Sequence, residues 1–227
     1  MASGAATGAV AAGRFITFEG GEGAGKSTQA RLLFERLAAV SIDSVLTREP
    51  GGAPGAEEIR RLLVHGAPER WRPMTEALLH SAARCEHVAI TIRPALAAGR
   101  WVVSDRFADS TMAYQGYGQG LGRETVASLS ALVLGDFRPD LTLILDLPAR
   151  DGLARARARA EEAGAEGGET RYERMDLAMH ERLRQGFLDI AEHAPERCAV
   201  IDARGDVARV SAAVGAVVAD RLGVALP

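Results

Sequence analysis

The chain has 227 residues and a formal net charge of −3 at pH 7, with a sequence pI of about 6.0. This length suits one sizeable α/β domain, and the charge leaves no overall basic field that would attract nucleic acid or an anionic membrane. No segment approaches the roughly 20 consecutive apolar residues of a membrane span. We therefore expect a cytoplasmic protein with neither nucleic acid nor a membrane as a partner.

Composition along the chain predicts one domain behind a short leader. The Ala- and Gly-rich residues 1–13 have no basic n-region and no apolar run long enough for a signal peptide, so they are predicted to be disordered. Residues 14–227 show no break in composition and are predicted to form a single domain. Cys85 and Cys198 lack C-x-x-C spacing, and we expect both to be small buried thiols in a reduced protein.

The first predicted element is a strand that runs into a glycine-rich turn. The apolar run 15–18 precedes residues 20–27, which match the pattern G-x-x-x-x-G-K-[ST]. Backbone N–H groups of such a turn surround a phosphate, the helix N-terminus adds positive potential, and the Ser27 hydroxyl can bind Mg²⁺. Lys26 is the only lysine among 27 Lys and Arg residues, and its compact ammonium can reach between phosphates where a planar guanidinium would not fit. The turn is therefore predicted to be a nucleotide-phosphate site.

The rest of the chain alternates between helical periodicity and short apolar runs. Helices are predicted at 27–40, 56–65, 74–98, 124–134, 171–193 and 207–222. Further strands are predicted at 44–47, 101–105, 141–146 and 198–202. This order predicts an α/β fold in which helices cover both faces of a five-stranded parallel sheet, with a ligand crevice at the carboxyl ends of the strands. An Arg-rich helix from Asp151 and the Gly- and Glu-rich stretch 161–170 together predict a mobile lid over about 151–172.

Charged and polar side chains follow the predicted strands at the crevice edge. Residues 48–52 read Arg-Glu-Pro-Gly-Gly and stop regular structure, while Asp105 closes an apolar strand in the manner of a Walker B carboxylate. Arg48 and Arg106 follow two different strands, so their guanidinium groups can clamp an acceptor phosphate. Residues 107–122 carry hydroxyl, phenol and amide groups directly after a strand and are predicted to recognise a ligand.

Taken in order, these motifs resemble the thymidylate (dTMP) kinase family, and most closely its bacterial type, over about residues 14–222. The segments that carry the resemblance are 18–27, 47–52, 81–84, 104–106 and 113–116, which read FEGGEGAGKS, TREPGG, SAAR, SDR and AYQG. The resemblance implies a P-loop nucleoside monophosphate kinase fold with an Arg-rich lid. It also implies Mg²⁺-dependent transfer of the ATP γ-phosphoryl group to dTMP, which gives dTDP for dTTP biosynthesis, in a cytoplasmic homodimer.

The donor site is predicted around the glycine-rich turn. Residues predicted to bind ATP are Gly20, Gly21, Glu22, Gly23, Ala24, Gly25, Lys26, Ser27 and Thr28, with Arg204 as a candidate adenine contact. Within this set Lys26 is expected on the β- and γ-phosphates and Ser27 on Mg²⁺, with Asp105 as a carboxylate that contacts Mg²⁺ either directly or indirectly.

The resemblance implies that a further catalytic charge comes from the lid, because residues 21–24 contain no basic side chain. Arg155 and Arg159 share one helix face and are preferred over Arg157, which lies roughly opposite. The predicted catalytic residues are Lys26, Arg48, Arg106, Arg155 and Arg159.

The acceptor site is assigned from the same resemblance. Residues predicted to bind dTMP are Glu22, Arg48, Pro50, His80, Arg84, Arg106, Thr111, Tyr114 and Gln115. In the family the counterpart of Arg84 contacts the thymine ring, and that of Glu22 contacts the sugar 3′-hydroxyl. His80 stands where the family usually has a phenylalanine that stacks on the base, so we expect base stacking to be weaker or pH-sensitive. A solvated helix histidine is the alternative interpretation of His80.

Two other functions stay open at this point. His80 is compatible with another nucleoside monophosphate kinase, or a small-molecule kinase, on the same fold. The segments 48–52 and 114–116 argue against that alternative. A non-enzymatic nucleotide switch would bind nucleotide without turning over an acceptor, and the chain lacks the N-K-x-D motif of regulatory GTPases. The apolar stripe on 74–98 fits either a dimer interface or a core.

Overall fold

A computed structural model describes residues 12–163 and 171–227 of the chain. Most of the predicted leader and the tip of the predicted lid lie outside these ranges. The strands are β1 Phe15–Glu19, β2 Ser44–Arg48, β3 Trp101–Asp105, β4 Leu141–Asp146 and β5 Cys198–Asp202. They form one all-parallel sheet in the order β2-β3-β1-β4-β5, which confirms the predicted sheet.

The described helices largely follow the predicted order. They are α1 Lys26–Ala39, α2 Pro54–Val64, α3 Pro73–His87, α4 Arg93–Ala97, α5 Ala108–Thr111, α6 Arg123–Leu134, α7 Ala149–Ala163, α8 Leu177–His193 and α9 Val207–Leu222. A π-helical stretch, Val88–Ile92, joins α3 to α4, and a second one, Met112–Gly118, continues α5. Pro94 has no N–H and cannot continue the hydrogen-bond ladder of one long helix, and this accounts for the break in the predicted helix 74–98.

The core lies on both faces of the sheet. All five residues of β1 are buried. Ile16 and Phe18 join the cluster under α1 and α9, whereas Phe15 joins the opposite cluster with Phe107. Thr17 meets Thr142 of β4 at 3.0 Å between hydroxyl oxygens, so this buried polar pair is satisfied inside the sheet. Because helices cover both faces of the sheet, a ligand can bind only at the edge formed by the carboxyl ends of the strands.

The predicted helix 171–193 begins six residues later than expected. Asp176 caps α8, because its carboxylate accepts from the N–H of Met179 at 2.6 Å. Arg171, Tyr172 and Glu173 lie before this cap in a turn, and all three are buried. The helix is therefore shorter than predicted, because the chain before Asp176 is buried in a turn.

The expectation of two buried thiols is wrong for Cys85, which lies exposed on α3. Cys198 opens β5 and is buried, and that burial raises the pKa of its thiol to about 12. Across the part of the chain that the structure describes, none of the helices is both long and apolar enough to cross a membrane.

Candidate active site

A cavity of about 370 Å³ opens at the carboxyl ends of β1, β2 and β3. Its walls come from the glycine-rich turn, the ends of the strands, α3, the second π-helical stretch and the turn 171–173. The residues predicted for the site that line it are Glu22, Gly23, Gly25, Lys26, Ser27, Thr28, Arg48, Pro50, His80, Arg84, Asp105, Arg106, Tyr114, Gln115 and Arg159. Residues predicted for the donor and acceptor sites thus come together in one space from six separate segments.

The glycine-rich turn is held tightly by its own backbone and by α7. Gly23 has φ +67°, and a Cβ there would lie 1.9 Å from the carbonyl oxygen of Gly152, so only glycine allows this approach. Lys26 opens α1 and donates from Nζ to the carbonyl of Gly21 at 2.6 Å. Burial, with a smaller contribution from Arg106, lowers the pKa of Lys26 to about 8. The ammonium group of Lys26 is therefore held in place at some electrostatic cost.

Ser27 and Asp105 meet below the turn, where the serine hydroxyl donates to Oδ2 of Asp105. The other carboxylate oxygen of Asp105 is buried and has no hydrogen-bond partner among the described residues. A hydroxyl beside a carboxylate with a spare oxygen is the donor set that suits Mg²⁺, which usually takes one or two protein oxygens and completes its shell with water and phosphate. The two predicted metal residues therefore fit the cation chemically.

Arg106 lies at the centre of a buried polar cluster beside the turn. Its guanidinium donates to Glu22 and to the Tyr114 hydroxyl, both at 3.0 Å, and Tyr114 in turn donates to Glu22 at 2.6 Å. Burial alone would raise the pKa of Glu22, but Arg106, Lys26 and the Tyr114 hydroxyl lower it to about 2. Burial raises the pKa of Tyr114 well above 10, so its hydroxyl remains a donor.

Glu19 holds the backbone turn that presents Arg106. Arg106 has φ +72°, a conformation that non-glycine residues seldom adopt. The buried Glu19 carboxyl group accepts a hydrogen bond from the N–H of Phe107 at 2.7 Å and is hydrogen-bonded to the Ser110 hydroxyl at 2.6 Å. Burial and the charge of Asp109 raise the pKa of Glu19 to about 8. The site thus rests on a buried acid that the sequence patterns did not single out.

The two predicted clamp arginines occupy different settings. Arg106 is mostly buried, whereas Arg48 is half exposed and pairs with Glu57 at 3.1 Å. A third guanidinium, that of Arg60, also lines the cavity and donates to the carbonyl of Pro50 at 2.7 Å. Sequence analysis missed Arg60. The available signal was its place on α2, the helix that follows the glycines at the end of the β2 motif.

Arg84 is oriented by three buried contacts. Its Nε donates to Glu49 at 2.8 Å, and one terminal nitrogen donates to the carbonyl of Phe107 at 3.1 Å and to the Thr111 hydroxyl at 3.0 Å. Glu49 is held in turn by Nδ1 of the fully buried His87 at 3.0 Å. Thr111 therefore acts on Arg84 and lies behind the cavity wall, although it was predicted to contact dTMP directly.

His80 lines the cavity but does not behave as a histidine near its ordinary pKa. It is half-buried, and its Nε2 lies 2.9 Å from the Tyr172 hydroxyl. Burial and the nearby arginines, Arg84 first, lower its pKa to about 3. The lowered pKa argues against pH-sensitive base stacking by His80, whereas weaker stacking stays a prediction. The contact with Tyr172 at the cavity wall disfavours the solvated-histidine alternative.

We expect the His80→Phe substitution to lower the KM for dTMP about two- to tenfold, because a full aromatic ring stacks better than a small neutral imidazole. The wild-type KM should show no pH dependence due to His80 between pH 6 and 8, since its pKa lies near 3. Steady-state kinetics over that range measure both effects. His80→Leu is the matched control, and an equal gain there would mean that apolarity and not stacking is responsible.

The predicted pair of lid arginines is separated in the structure. Arg159 lines the cavity and contacts Glu173 at 3.0 Å. Arg155 instead donates to the backbone carbonyls of Ala203 at 3.1 Å and Arg204 at 3.3 Å. Arg155 thus ties α7 to the end of β5, beside the candidate adenine contact. The Arg204 side chain itself is exposed and pairs with Asp202 at 2.8 Å.

Comparison with known proteins gives consistent matches. A family model described as thymidylate kinase matches residues 18–214. The thymidylate kinase of Caulobacter vibrioides is 56% identical over 212 residues, which cover 93% of this chain and 99% of that protein. The thymidylate kinase of Rhizorhabdus wittichii is 51% identical over 210 residues, covering 92% and 99%. A crystal structure of thymidylate kinase from Ehrlichia chaffeensis superposes with a TM-score of 0.73 at 37% identity, covering 91% of this chain and 98% of that one.

Proposed function

This chain belongs to the thymidylate kinase family, and we propose that it transfers the γ-phosphoryl group of ATP to dTMP, giving dTDP for dTTP synthesis. The observation that carries the proposal is the shared cavity, in which the Lys26 turn and the cluster of Glu22, Arg106 and Tyr114 face the same space. Two polyanionic substrates can meet there without a covalent enzyme intermediate.

The donor half rests on the glycine-rich turn. Its backbone N–H groups and the N-terminus of α1 supply positive potential for the ATP phosphates, and Lys26 supplies a full charge beside them. Ser27 and Asp105 would hold Mg²⁺. When bound, the ion would neutralise charge on the phosphate oxygens.

The acceptor half rests on the buried cluster. Arg106 is pinned by Glu22 and Tyr114, so it presents a fixed guanidinium to the dTMP phosphate, and Arg48 and Arg60 add charge from the β2 side. Glu22 stays ionised and can accept from the sugar 3′-hydroxyl. The Tyr114 ring, buried beside it, would leave little room for a 2′-hydroxyl.

Arg159 is the lid cation that we assign to the transferring phosphoryl group. It extends from α7 into the cavity, and residues 21–24 of the turn offer no basic side chain for this role. Preorganised cations stabilise the charge that develops in phosphoryl transfer. Arg155 contributes indirectly, by tying α7 to the end of β5.

A cytoplasmic homodimer completes the proposal. The substrates are cytoplasmic metabolites, and α3 and its continuation present apolar side chains to solvent. Leu78 is 49% exposed and Ile90 is 58% exposed, while Leu132 on the neighbouring α6 is 83% exposed. Exposed apolar surface of this kind favours a protein interface. Light scattering of the purified protein tests the oligomeric state.

The proposed function is tested by a coupled assay of ADP release with dTMP, dUMP, dCMP and dGMP as acceptors. We expect the highest kcat/KM with dTMP. A preference for another acceptor would favour a different monophosphate kinase, and nucleotide binding without any turnover would favour a switch. Omitting Mg²⁺ should remove turnover.

A further inference from the structure

We propose that Glu76 is a positioning residue that fixes the side-chain amide of Gln115 and thereby makes the acceptor pocket reject a 4-aminopyrimidine base. The inference deepens the proposed function and rests on it, because the acceptor base is taken to occupy the cavity lined by Gln115. Glu76 itself lies outside the lining of that cavity and acts through Gln115.

Glu76 forms a buried carboxylate site that is held by Arg171, Gln115 and Gln119. It is completely buried on α3, where Oε2 pairs with the equally buried Arg171. Its other oxygen accepts from Nε2 of Gln115 at 2.7 Å and from Nε2 of Gln119 at 3.0 Å. Arg171 also donates to the carbonyls of Leu63 at 3.1 Å and Pro68 at 2.8 Å, which hold its guanidinium in place.

This arrangement decides which end of the Gln115 amide is available to a ligand. Burial raises the pKa of Glu76, but the paired Arg171 guanidinium favours its ionised form. An ionised carboxylate only accepts hydrogen bonds, so Gln115 turns its NH₂ group towards Glu76. Its Oε1 is then left without a hydrogen-bond partner among the described residues, although the side chain is fully buried. A buried amide oxygen in this state is costly unless a ligand donates to it.

Arg84 supplies the complementary group, because a guanidinium can only donate hydrogen bonds whereas Oε1 of Gln115 can only accept them. Its Nε and one terminal nitrogen are occupied by Glu49, Phe107 and Thr111, so the remaining terminal nitrogen is the group directed to the cavity wall. One donor and one acceptor match a pyrimidine with a 4-carbonyl oxygen and an N3–H. A cytosine-type base presents the reverse pattern, with a 4-amino donor and an N3 acceptor. Such a site rejects the wrong base by leaving its own buried groups unpaired.

The test is the ratio of kcat/KM for dUMP to kcat/KM for dCMP, because these two acceptors differ only at positions 3 and 4 of the base. In the Glu76→Gln variant, the new glutamine side chain can either donate or accept a hydrogen bond. The Gln115 amide can therefore rotate and exchange the positions of its oxygen and its NH₂ group. We expect the ratio to fall about tenfold, with the loss for dUMP and dTMP appearing in KM and not in kcat. An unchanged ratio would overturn the proposal.

Gln119→Ala is the matched control, since it removes a hydrogen bond to the same Glu76 oxygen without touching a cavity residue. The ratio should not change in this variant. Gln115→Ala should lower the ratio, and adding Glu76→Gln to it should cause no further fall, because the two residues act through one amide. A further, additive fall, or an equal fall in Gln119→Ala, would assign Glu76 a purely structural role.

Side-chain amide NMR of the wild-type protein keeps the proposal testable if Glu76→Gln does not fold. The Gln115 NH₂ protons should be protected from exchange both in the free protein and with dTMP bound. Rapid exchange in the free protein would contradict the bond to Glu76. If wild-type protein turns over none of the acceptors, the proposed function fails, whereas the NMR result still decides how Gln115 is held.

Discussion

Lys26→Ala is expected to lower kcat about a thousandfold or more, because it deletes a preorganised charge beside the transferring phosphates. The fold should persist. Lys26 is 6% exposed and has a pKa lowered to about 8, so burying its charge costs stability and removing it does not leave a structural charge unpaired. Single-turnover kinetics and thermal melting of the variant measure the two effects separately.

Lys26→Arg is the control for shape. It keeps the positive charge but places a planar fork where Nζ now meets the carbonyl of Gly21, and we expect it to be nearly as inactive as the alanine variant. Substantial turnover in Lys26→Ala would contradict the role of the ammonium. Substantial turnover in Lys26→Arg alone would mean that charge suffices and that the compact shape of lysine is unimportant.

The same residue gives a pH dependence whose sign is fixed. A lysine loses its charge as the pH rises through its pKa, so kcat/KM, which reports the free enzyme, should decline as the pH rises through about 8. Bound phosphates favour the ammonium form, so kcat should hold to higher pH. This alkaline decline should be missing from any residual activity of Lys26→Ala.

The parts of the molecule that sequence predicts well are those encoded by adjacent residues. The turn 20–27, the five strands and the carboxyl-edge position of Arg48 and Arg106 follow from local patterns and from the parallel alternation of strand and helix. Lys26 and Asp105 lie close together because β1 and β3 are neighbours in the sheet, and this strand order was not predicted from the sequence.

The acceptor half depends on buried partners that are distant in the chain. Arg171 pairs with Glu76 across 95 positions, and Arg84 pairs with Glu49 across 35. In a chain with 26 arginines, no local pattern distinguishes a buried structural arginine such as Arg171 from an exposed one.

Environment, and not residue type, also decides the behaviour of His80 and the lid arginines. Histidine ordinarily titrates near neutrality, but burial and surrounding guanidinium groups keep His80 neutral. Helix periodicity correctly gives Arg155 and Arg159 one face, yet one turn of helix carries them to different neighbours. The periodicity of a helix sets the direction of a side chain but not what lies opposite it.

Arg106→Ala is expected to impair both stability and activity. At pH 7 it leaves the Glu22 carboxylate without its ion-pair partner in a largely buried place, so the free energy of unfolding should fall by about 3–5 kcal/mol. The kcat/KM for dTMP should fall by at least about a hundredfold through loss of the phosphate clamp. Urea titration and the coupled ADP assay measure these two losses.

The stability loss should shrink as the pH falls. In the wild-type protein the pKa of Glu22 is about 2, so its stabilising contribution is fully present above its ordinary value of 4.5 and is lost as the pH falls through 2. Without Arg106 the largest cause that lowers the Glu22 pKa is gone, so this pKa rises, and protonation on acidification relieves the penalty of the carboxylate. The difference in unfolding free energy between the two proteins should therefore be larger at pH 7 than at pH 4.

Glu22→Gln combined with Arg106→Ala separates the electrostatic cause from a packing defect. The double variant has no buried charge to leave unpaired, so it should recover much of the stability at pH 7 while remaining inactive with dTMP. It should also lose the extra pH dependence of the single variant. If the double variant is as unstable as Arg106→Ala at both pH values, the loss arises instead from the packing of Arg106 against the Tyr114 ring, where the guanidinium carbon lies 5.0 Å from the ring centre.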